Sequence, residues 1–294
     1  MRKVRVMKTS INEILKAATR RLEDGNIDSP RLDAEILLAH VLNCRRLDFY
    51  VDAEKILPLE SVLRFNELVN RRLEKIPVAY LIGTREFMGL SFAVDENVLI
   101  PRPDTEILTE FVGEYLRGLD NPIFADIGTG SGAICVSILK FVKNSRACAV
   151  DVSQKALDVA KFNAQKFHVD DRAEFFCGDL FSPLEGKIFD AIVSNPPYIP
   201  TNDLKTLQAE VKREPKLALD GGADGLNFYC RIIADAPKFL RAGGLLAVEV
   251  GINQSIHVKN IFARAGFVGI EILNDLSGIE RVVAAKFDGV KNFC

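Results

Sequence analysis

Residues 122–142 read PIFADIGTGSGAICVSILKFV, and three features follow one another along them. Ile123 to Ile127 form a short apolar run between Pro122 and Gly128, the mark of a buried strand. Asp126-Ile127-Gly128-Thr129-Gly130-Ser131-Gly132 then sets three glycines at alternate positions, where the chain can turn tightly and another molecule can approach the backbone. A helical apolar stretch begins directly afterwards. Strand, glycine turn and helix make the first half of a βαβ unit, so the stretch predicts an α/β domain with a parallel sheet.

Working outward, the alternation continues. Strand-like runs recur at RACAVDV, AEFFCGD, FDAIVSN and GGLLAVEVG, with helical segments such as QKALDVAKFNAQKF between them. Helices on both faces of a mostly parallel sheet are expected. The last segment, GFVGIEILNDLSGIERVVAAKF, has two strand-like runs around a turn-rich middle, which predicts an antiparallel hairpin at the end of the sheet.

Upstream the character is different. Residues from about 9 to 84 read as helical. In IDSPRLDAEILLAHVLN, Ser29 is an N-cap candidate, Pro30 suits the first helical position, and Asn43 is a stop. Leu32, Ile36, Leu37, Val41 and Leu42 recur at helical spacing. Val62, Leu63, Phe65, Leu68, Val69 and Leu73 repeat the pattern, and Pro77 ends it. A small helical bundle is expected. Between the two regions, EFMGLSFAVDENVLIPRPDTE alternates around a glycine, predicting a short hairpin closed by Pro101 and Pro103. The expected organisation is a helical domain over 1–84, a hairpin linker over 85–104 and the α/β domain over 105–294.

The chain has 294 residues, 48% hydrophobic and 27% charged, and a net charge of −2, as in an ordinary globular protein. Residues 1–84 carry 15 Lys and Arg against 12 Asp and Glu, and the remainder 23 against 28. A strong non-specific grip on nucleic acid is not expected. Six cysteines at 44, 135, 148, 177, 230 and 294 form no C-x-x-C pair, and three histidines are present, so no metal site is expected. Cys135, Cys148 and Cys177 sit in apolar runs and are expected to be buried free thiols in a reducing cytosol. No run approaches the ~20 apolar residues of a membrane span, and the basic start MRKVRVMKTS lacks the apolar core of a signal peptide. A cytoplasmic, monomeric protein without a membrane partner is the expectation.

Polar residues recur after successive strands, where open α/β sheets hold their ligands. The glycine loop comes first. Its G-x-G-x-G spacing differs from the dinucleotide fingerprint G-x-G-x-x-G and has no P-loop Lys-Ser/Thr ending; a tight turn alone would also account for it. Asp151 ends the next strand, about 20 residues on, where a carboxylate can accept the two hydroxyls of a ribose or cap the helix that starts near Gln154, as Ser153 could. Asp179, in Gly178-Asp179-Leu180, can accept an exocyclic amine such as that of adenine, or serve only the turn. Together the three sites outline a nucleoside-containing ligand. After the fourth strand comes Asn195-Pro196-Pro197-Tyr198. A planar nitrogen has a delocalised lone pair, so a site that modifies one must hold both of its N–H bonds. The Asn195 side-chain carbonyl can accept one and the Pro196 main-chain carbonyl the other, with prolines keeping that carbonyl in place. Tyr198 can stack on the planar group and offer its face to a cation.

The three strand-end sites resemble the S-adenosylmethionine site of Rossmann-like class I methyltransferases, whose sheet has seven strands. Over nearly the whole chain, GTREFMGLSFAVDENVLIPRPDTEIL, REPKLALDGGADGLNFY, DLSGIERVV and the NPPY corner resemble the HemK/PrmC family, which methylates the glutamine side-chain nitrogen in the Gly-Gly-Gln tripeptide of peptide-chain release factors. The resemblance implies that Asp126 and the loop Gly128, Thr129, Gly130, Ser131 and Gly132 hold the methionine side of S-adenosylmethionine. It also implies that Asp151 holds the ribose, that Asp179 and Leu180 lie at the adenine, and that Asn195, Pro196, Pro197 and Tyr198 hold the target amide, with Asn195 also close to the cofactor. Leu180 stands where some relatives carry a large aromatic. Arg102 and Thr105 are expected near the active site, in contact with the cofactor carboxylate. The implied chemistry is in-line displacement with S-adenosylhomocysteine as product and no metal, and the helical domain is implied to help grip the release factor. The rival readings are a DNA adenine-N6 or RNA guanine amino-methyltransferase, disfavoured because no strongly basic domain is present, and a binding module on an inactive methyltransferase fold.

Overall fold

The computed structural model describes residues 9–290; the basic start up to Lys8 and Cys294 lie outside the described residues. The chain divides into two compact units. One runs to Gly83 and takes in Gln208–Arg213; the other comprises Thr84–Leu207 and the chain from Glu214 onward.

The first unit is helical: α1 (Ile11–Asp24), α2 (Pro30–Leu42), α3 (Asp48–Val51), α4 (Leu59–Leu73) and α5 (Val78–Ile82). α1 opens on a capping box, in which the Glu13 amide donates to the Ser10 hydroxyl and the Ser10 amide donates to the Glu13 carboxylate. α2 begins at Pro30 and stops at Asn43, which is left-handed with φ 49°. Ser29 holds the N-cap position but makes no side-chain cap, because its backbone (φ −125°, ψ 58°) lies outside the extended region that aims a capping hydroxyl. Leu15, Leu22, Leu37, Leu38, Phe65 and Val69 form the core. Leu32 and Leu63 are 40% and 62% exposed instead, while Asp33 of α2 and Arg72 of α4 are buried. The Arg72 Nε donates to Asp33 at 2.7 Å, and its Nη2 pairs with Glu210 from the Gln208–Arg213 segment. Paired charges thus occupy positions that the apolar periodicity would give to leucines.

The second unit begins with a hairpin, β1 (Thr84–Phe87) and β2 (Leu90–Ala93). Its turn residues Met88 and Gly89 both have positive φ, 53° and 69°, the two-residue geometry that matches strand twist. There follow α6 (Thr105–Arg117), β3 (Ile123–Ile127), α7 (Ala133–Phe141), β4 (Arg146–Asp151), α8 (Gln154–Lys166), β5 (Ala173–Cys177), β6 (Phe189–Ser194), α9 (Asn227–Asp235), β7 (Leu240–Glu249), α10 (Ser255–Arg264), β8 (Phe267–Asn274) and β9 (Glu280–Phe287). The seven strands β3–β9 form one sheet in the order β5-β4-β3-β6-β7-β9-β8. β3–β7 pair in parallel, and the β8–β9 hairpin joins antiparallel through β9.

Alternation along the buried strands builds two cores. Phe124, Ala149, Val193 and Ala247 face α6 and α7, whereas Ala125, Val150, Ile192 and Val248 face α9 and α10. Strands covered on both faces read as continuous apolar runs, which is why the sequence exposes them so plainly. Cys135 and Cys148 are buried, but Cys177 is exposed: it ends β5, the sheet's edge strand, where one flank faces solvent. Strand order reverses at β3, with β4 and β5 to one side and β6 to the other, and such a switch point opens a crevice at the carboxyl ends of the strands.

Candidate functional site at the switch point

A cavity of about 340 Å³ lies at these strand ends, within the range of small-molecule sites. Gly128 and Gly130, Asp151, Asp179 and Leu180, and Asn195, Pro196 and Pro197 all line it. Four strand ends that are far apart in sequence thus contribute to one wall. Asp126, Thr129, Ser131 and Gly132 lie behind the wall, and Tyr198, Arg102 and Thr105 lie outside its lining.

The glycine loop is shaped by its own hydrogen bonds. Gly128 and Thr129 amides donate to the Val150 carbonyl at 2.8 and 2.9 Å, and the Gly132 amide to the Thr129 carbonyl at 2.8 Å. Gly128 and Gly130 have φ of 77° and 55°, and no atom stands within 4 Å of where a Cβ would be. The backbone is therefore open at these two points. Asp126 sits beneath the loop, fully buried. Its Oδ2 accepts from the Thr129 hydroxyl at 2.7 Å and the Cys135 amide at 3.2 Å, while its Oδ1 has no partner. Burial pushes its carboxyl up to about 7, against the pull of those two donors.

Asp151 does not cap α8, a task that falls to Ser153; it binds the glycine loop and the turn before the helix instead. Its Oδ2 accepts from the Gly130 amide and its Oδ1 from the Ser153 amide, both at 2.9 Å. Ser153 is the residue that caps α8, accepting from the Ala156 amide at 3.2 Å. Each carboxylate oxygen has further acceptor capacity, and Asp151 lines the cavity. Asp179 is bound to Arg231 of α9 at 2.5 Å, and the Arg231 guanidinium lies over the Phe228 ring at 5.9 Å. Leu180, left-handed with φ 50°, joins Phe228 and Ile232 in an apolar stretch of the lining. An aromatic ring is therefore present on this wall, supplied by α9.

The corner at Asn195 is held from three sides. The Ser194 hydroxyl donates to the Ile127 carbonyl at 2.6 Å, tying β6 to the loop strand. The Asn195 Nδ2 donates to the Thr105 hydroxyl at 3.1 Å. Gln254 donates from Nε2 to the Tyr198 carbonyl at 2.9 Å. Beyond the corner, Ile199 exchanges backbone bonds with Leu219 and Gly221 at 3.0 and 2.8 Å. The Tyr198 hydroxyl reaches Glu249 at 3.4 Å, so its ring is anchored at the far end, and burial pushes its pKa up.

Several site residues gave no local sequence signal. Glu214, almost fully buried, accepts from the Ile100 amide at 3.0 Å and from Arg102 at 2.5 Å, pinning the loop of Pro101 and Pro103 to the segment that supplies Pro215, Leu217 and Ala218 to the lining. Asn163 of α8 binds Ala93 through both its amide atoms and the Ser131 carbonyl through its Nδ2, joining hairpin to glycine loop. Glu249 ends β7, and a strand-end position was its one available signal.

The family model described as PrmC N-terminal domain matches residues 13–83, and the Methyltransferase small domain matches residues 105–222. The Release factor glutamine methyltransferase of Moorella thermoacetica is 41% identical over 277 residues, covering 94% of this chain and 98% of its own. That of Geobacter sulfurreducens is 42% identical over 279 residues, covering 94% and 96%. Among solved structures, the hMettl16 catalytic domain in complex with MAT2A 3′UTR hairpin 1 superposes with a TM-score of 0.57 at 17% identity, over 79% of this chain and 81% of that one. This last likeness shows the shared fold of methyltransferases. At such identity over nearly the full length of both chains, this protein belongs to the release factor glutamine methyltransferase family.

Proposed function

We propose that this protein transfers a methyl group from S-adenosylmethionine to the side-chain amide nitrogen of the glutamine in the Gly-Gly-Gln motif of peptide-chain release factors. The observation that carries the reading is the shared wall. Asn195 and the two prolines line the same cavity as the open glycines and Asp151, so a holder of planar amides faces a holder of nucleosides. The relatives that match across the whole chain carry the name of that activity.

The residues present fit the cofactor. Gly128 and Gly130 let a ligand lie against backbone, Asp151 offers acceptors for ribose hydroxyls, and Leu180, Phe228 and Ile232 offer an apolar surface for a base. S-adenosylmethionine bound there would supply an electrophilic methyl group on a sulfonium. The chain's own contribution is orientation: Asn195 Oδ1 and the Pro196 carbonyl accept the two N–H bonds of the glutamine amide, and the rigid corner limits its motion, so that much of the acceleration comes from positioning. The helical unit supplies a second contact surface for a protein substrate too large for the cavity. The protein works as a cytoplasmic monomer, without nucleic acid or membrane.

The test is a transfer assay with radiolabelled cofactor, release factor and DNA or RNA. Label is expected on the release factor and lost when the Gly-Gly-Gln glutamine is replaced. Label on nucleic acid, or on the glutamine-replaced factor, would overturn the reading. Cofactor binding without any transfer would favour an inactive binding module.

A further inference from the structure

Gln254 lies outside the cavity lining, at the N-cap position of α10, yet its side chain holds the corner from behind. Its Nε2 donates to the Tyr198 carbonyl at 2.9 Å. Its Oε1 accepts from the Gly251 amide at 3.0 Å and from the Tyr229 hydroxyl at 3.3 Å. Gly251 lies in the turn between β7 and α10, and Tyr229 is a fully buried residue of α9. One side-chain amide thus ties three segments together: the corner after β6, the helix α9 and the turn after β7.

The direction of that amide is fixed by its partners. A backbone N–H only donates, so the Gly251 amide must meet an oxygen, and Oε1 is the only one the side chain has. The NH2 end is thereby turned to the Tyr198 carbonyl, which only accepts. The surroundings are as tight as the bonding. A Cβ on Gly251 would stand 2.7 Å from Gln254 Oε1 and 3.0 Å from a Tyr198 ring carbon. One on Gly225 would stand 2.6 Å from Gln254 Nε2 and press on the Tyr198 carbonyl. Side chain and carbonyl therefore meet in a slot that glycines leave open.

We propose that Gln254 is a positioning residue for methyl transfer: by holding the Tyr198 carbonyl it fixes the far end of the Asn195-Pro196-Pro197-Tyr198 corner, and with it the direction of the Pro196 carbonyl that accepts the substrate amide. The reason lies in backbone freedom. The rings of Pro196 and Pro197 fix two φ angles but leave their ψ angles to be set by what holds the chain on either side. Upstream that hold is β6, with the Ser194 hydroxyl bound to the Ile127 carbonyl. Downstream it is the bond from Gln254, followed by the Ile199 bonds to Leu219 and Gly221. The Tyr198 hydroxyl contact with Glu249 is longer, 3.4 Å, and anchors the ring rather than the backbone. Without the Gln254 bond the peptide between Tyr198 and Ile199 can rotate, and the ψ angles of the two prolines can follow. A misplacement of about 1 Å in a group that aims the substrate can cost on the order of a hundredfold in rate. This inference rests on the reading of the corner as the amide holder given above.

Two variants of the full chain test it, with labelled S-adenosylmethionine and release factor. Gln254→Met keeps the length of the side chain and removes both hydrogen-bonding ends. Gln254→Glu keeps an oxygen for the Gly251 amide but sets a second acceptor against the Tyr198 carbonyl. At saturating cofactor and release factor, kcat should fall about tenfold or more in Gln254→Met and at least as far in Gln254→Glu, while cofactor Kd moves less than about threefold. A readout independent of substrate is the Tyr198 carbonyl 13C signal, observed through the Ile199 amide, which should move in both variants as the carbonyl loses its donor. It also keeps the test open in either variant if the other fails to fold. Wild-type kcat in a variant whose carbonyl signal has moved would overturn the proposal. So would an unmoved signal, or a loss of cofactor affinity as large as the loss of kcat, which would mean general damage to the site. Full turnover in Asn195→Ala would instead defeat the reading of the corner as amide holder; it is scored on a separate variant and leaves the two Gln254 variants to decide the hold on the corner.

Discussion

Asn195 has two hydrogen-bonding groups, and Thr105 already holds one of them. That single bond, 3.1 Å from Nδ2 to Oγ1, turns an exchangeable amide into a directed acceptor. Its removal should be costly in rate and cheap in stability, because Asn195 is only half-buried and contributes little to either core. Asn195→Ala is expected to lower kcat/KM for the release factor at least a hundredfold, about 2.7 kcal/mol or more of transition-state stabilisation, with a melting temperature close to wild type. A loss below about tenfold in a labelled-methyl assay would remove Asn195 from the role of amide holder. At this scale the sequence was legible wherever chemistry and backbone signals coincide. Asn195 precedes two prolines, Gly128 to Gly132 interrupt an apolar run, and Asp151 ends one. Glu249 was hidden because a lone Glu in LLAVEVG has no such partner signal; its partner is the Tyr198 hydroxyl, 51 positions away in the chain. Glu214 was hidden for the same reason.

At the scale of elements, the corner after β6 depends on the segment around Gly221 and Gly225 as much as on its own prolines. A Cβ on Gly221 would stand 2.7 Å from the Tyr198 Cα, and one on Gly225 would press on the Tyr198 carbonyl. Both obstacles are backbone, which cannot swing aside as a side-chain tip can. Gly221→Ala should therefore displace the corner and cut turnover by more than tenfold, although residue 221 lies outside the cavity lining; turnover equal to wild type, measured at saturating cofactor, would show that the corner tolerates the shift. In the helical unit, Arg72→Leu should cost about 3–5 kcal/mol, because it strands the Asp33 carboxylate among apolar neighbours. Adding Asp33→Leu should restore most of the loss in urea melts, since the pair can then be replaced by packing. Strands β3 to β7 were readable because burial on both faces leaves unbroken apolar runs. The inner faces of α2 and α4 were misread at Leu32 and Leu63, since a buried ion pair leaves no periodic apolar trace. The membership of Gln208–Arg213 in the helical unit was equally invisible, as it depends on Glu210 meeting Arg72.

At the scale of the whole molecule, the second unit carries two fully buried carboxyls, Asp126 and Glu249, each pushed by burial to about 7. In the unfolded chain they return to ordinary carboxyl values near 4. The folded state therefore holds more protons than the unfolded state between about pH 4.5 and 7, and stability must fall as pH rises through that window. The stabilising term is complete below the unfolded values and lost above the folded ones. Each group accounts for on the order of 3 kcal/mol across the window. The shifts in the opposite direction, at Asp48, Asp220 and Asp275, act only at lower pH, where those carboxylates protonate. Asp33 and Asp151 are raised by burial as well, so the ligand-free protein should unfold at a higher temperature at pH 5.5 than at pH 8, and Asp126→Asn, which keeps the shape and removes the charge, should flatten that dependence in part. Calorimetry at the two pH values decides it; equal melting temperatures in the wild type would mean that both carboxyls are already ionised in the fold at pH 5.5, as they are in the unfolded chain. Glu249→Gln, which likewise keeps the shape and removes the charge, should raise the melting temperature at pH 8 more than at pH 5.5.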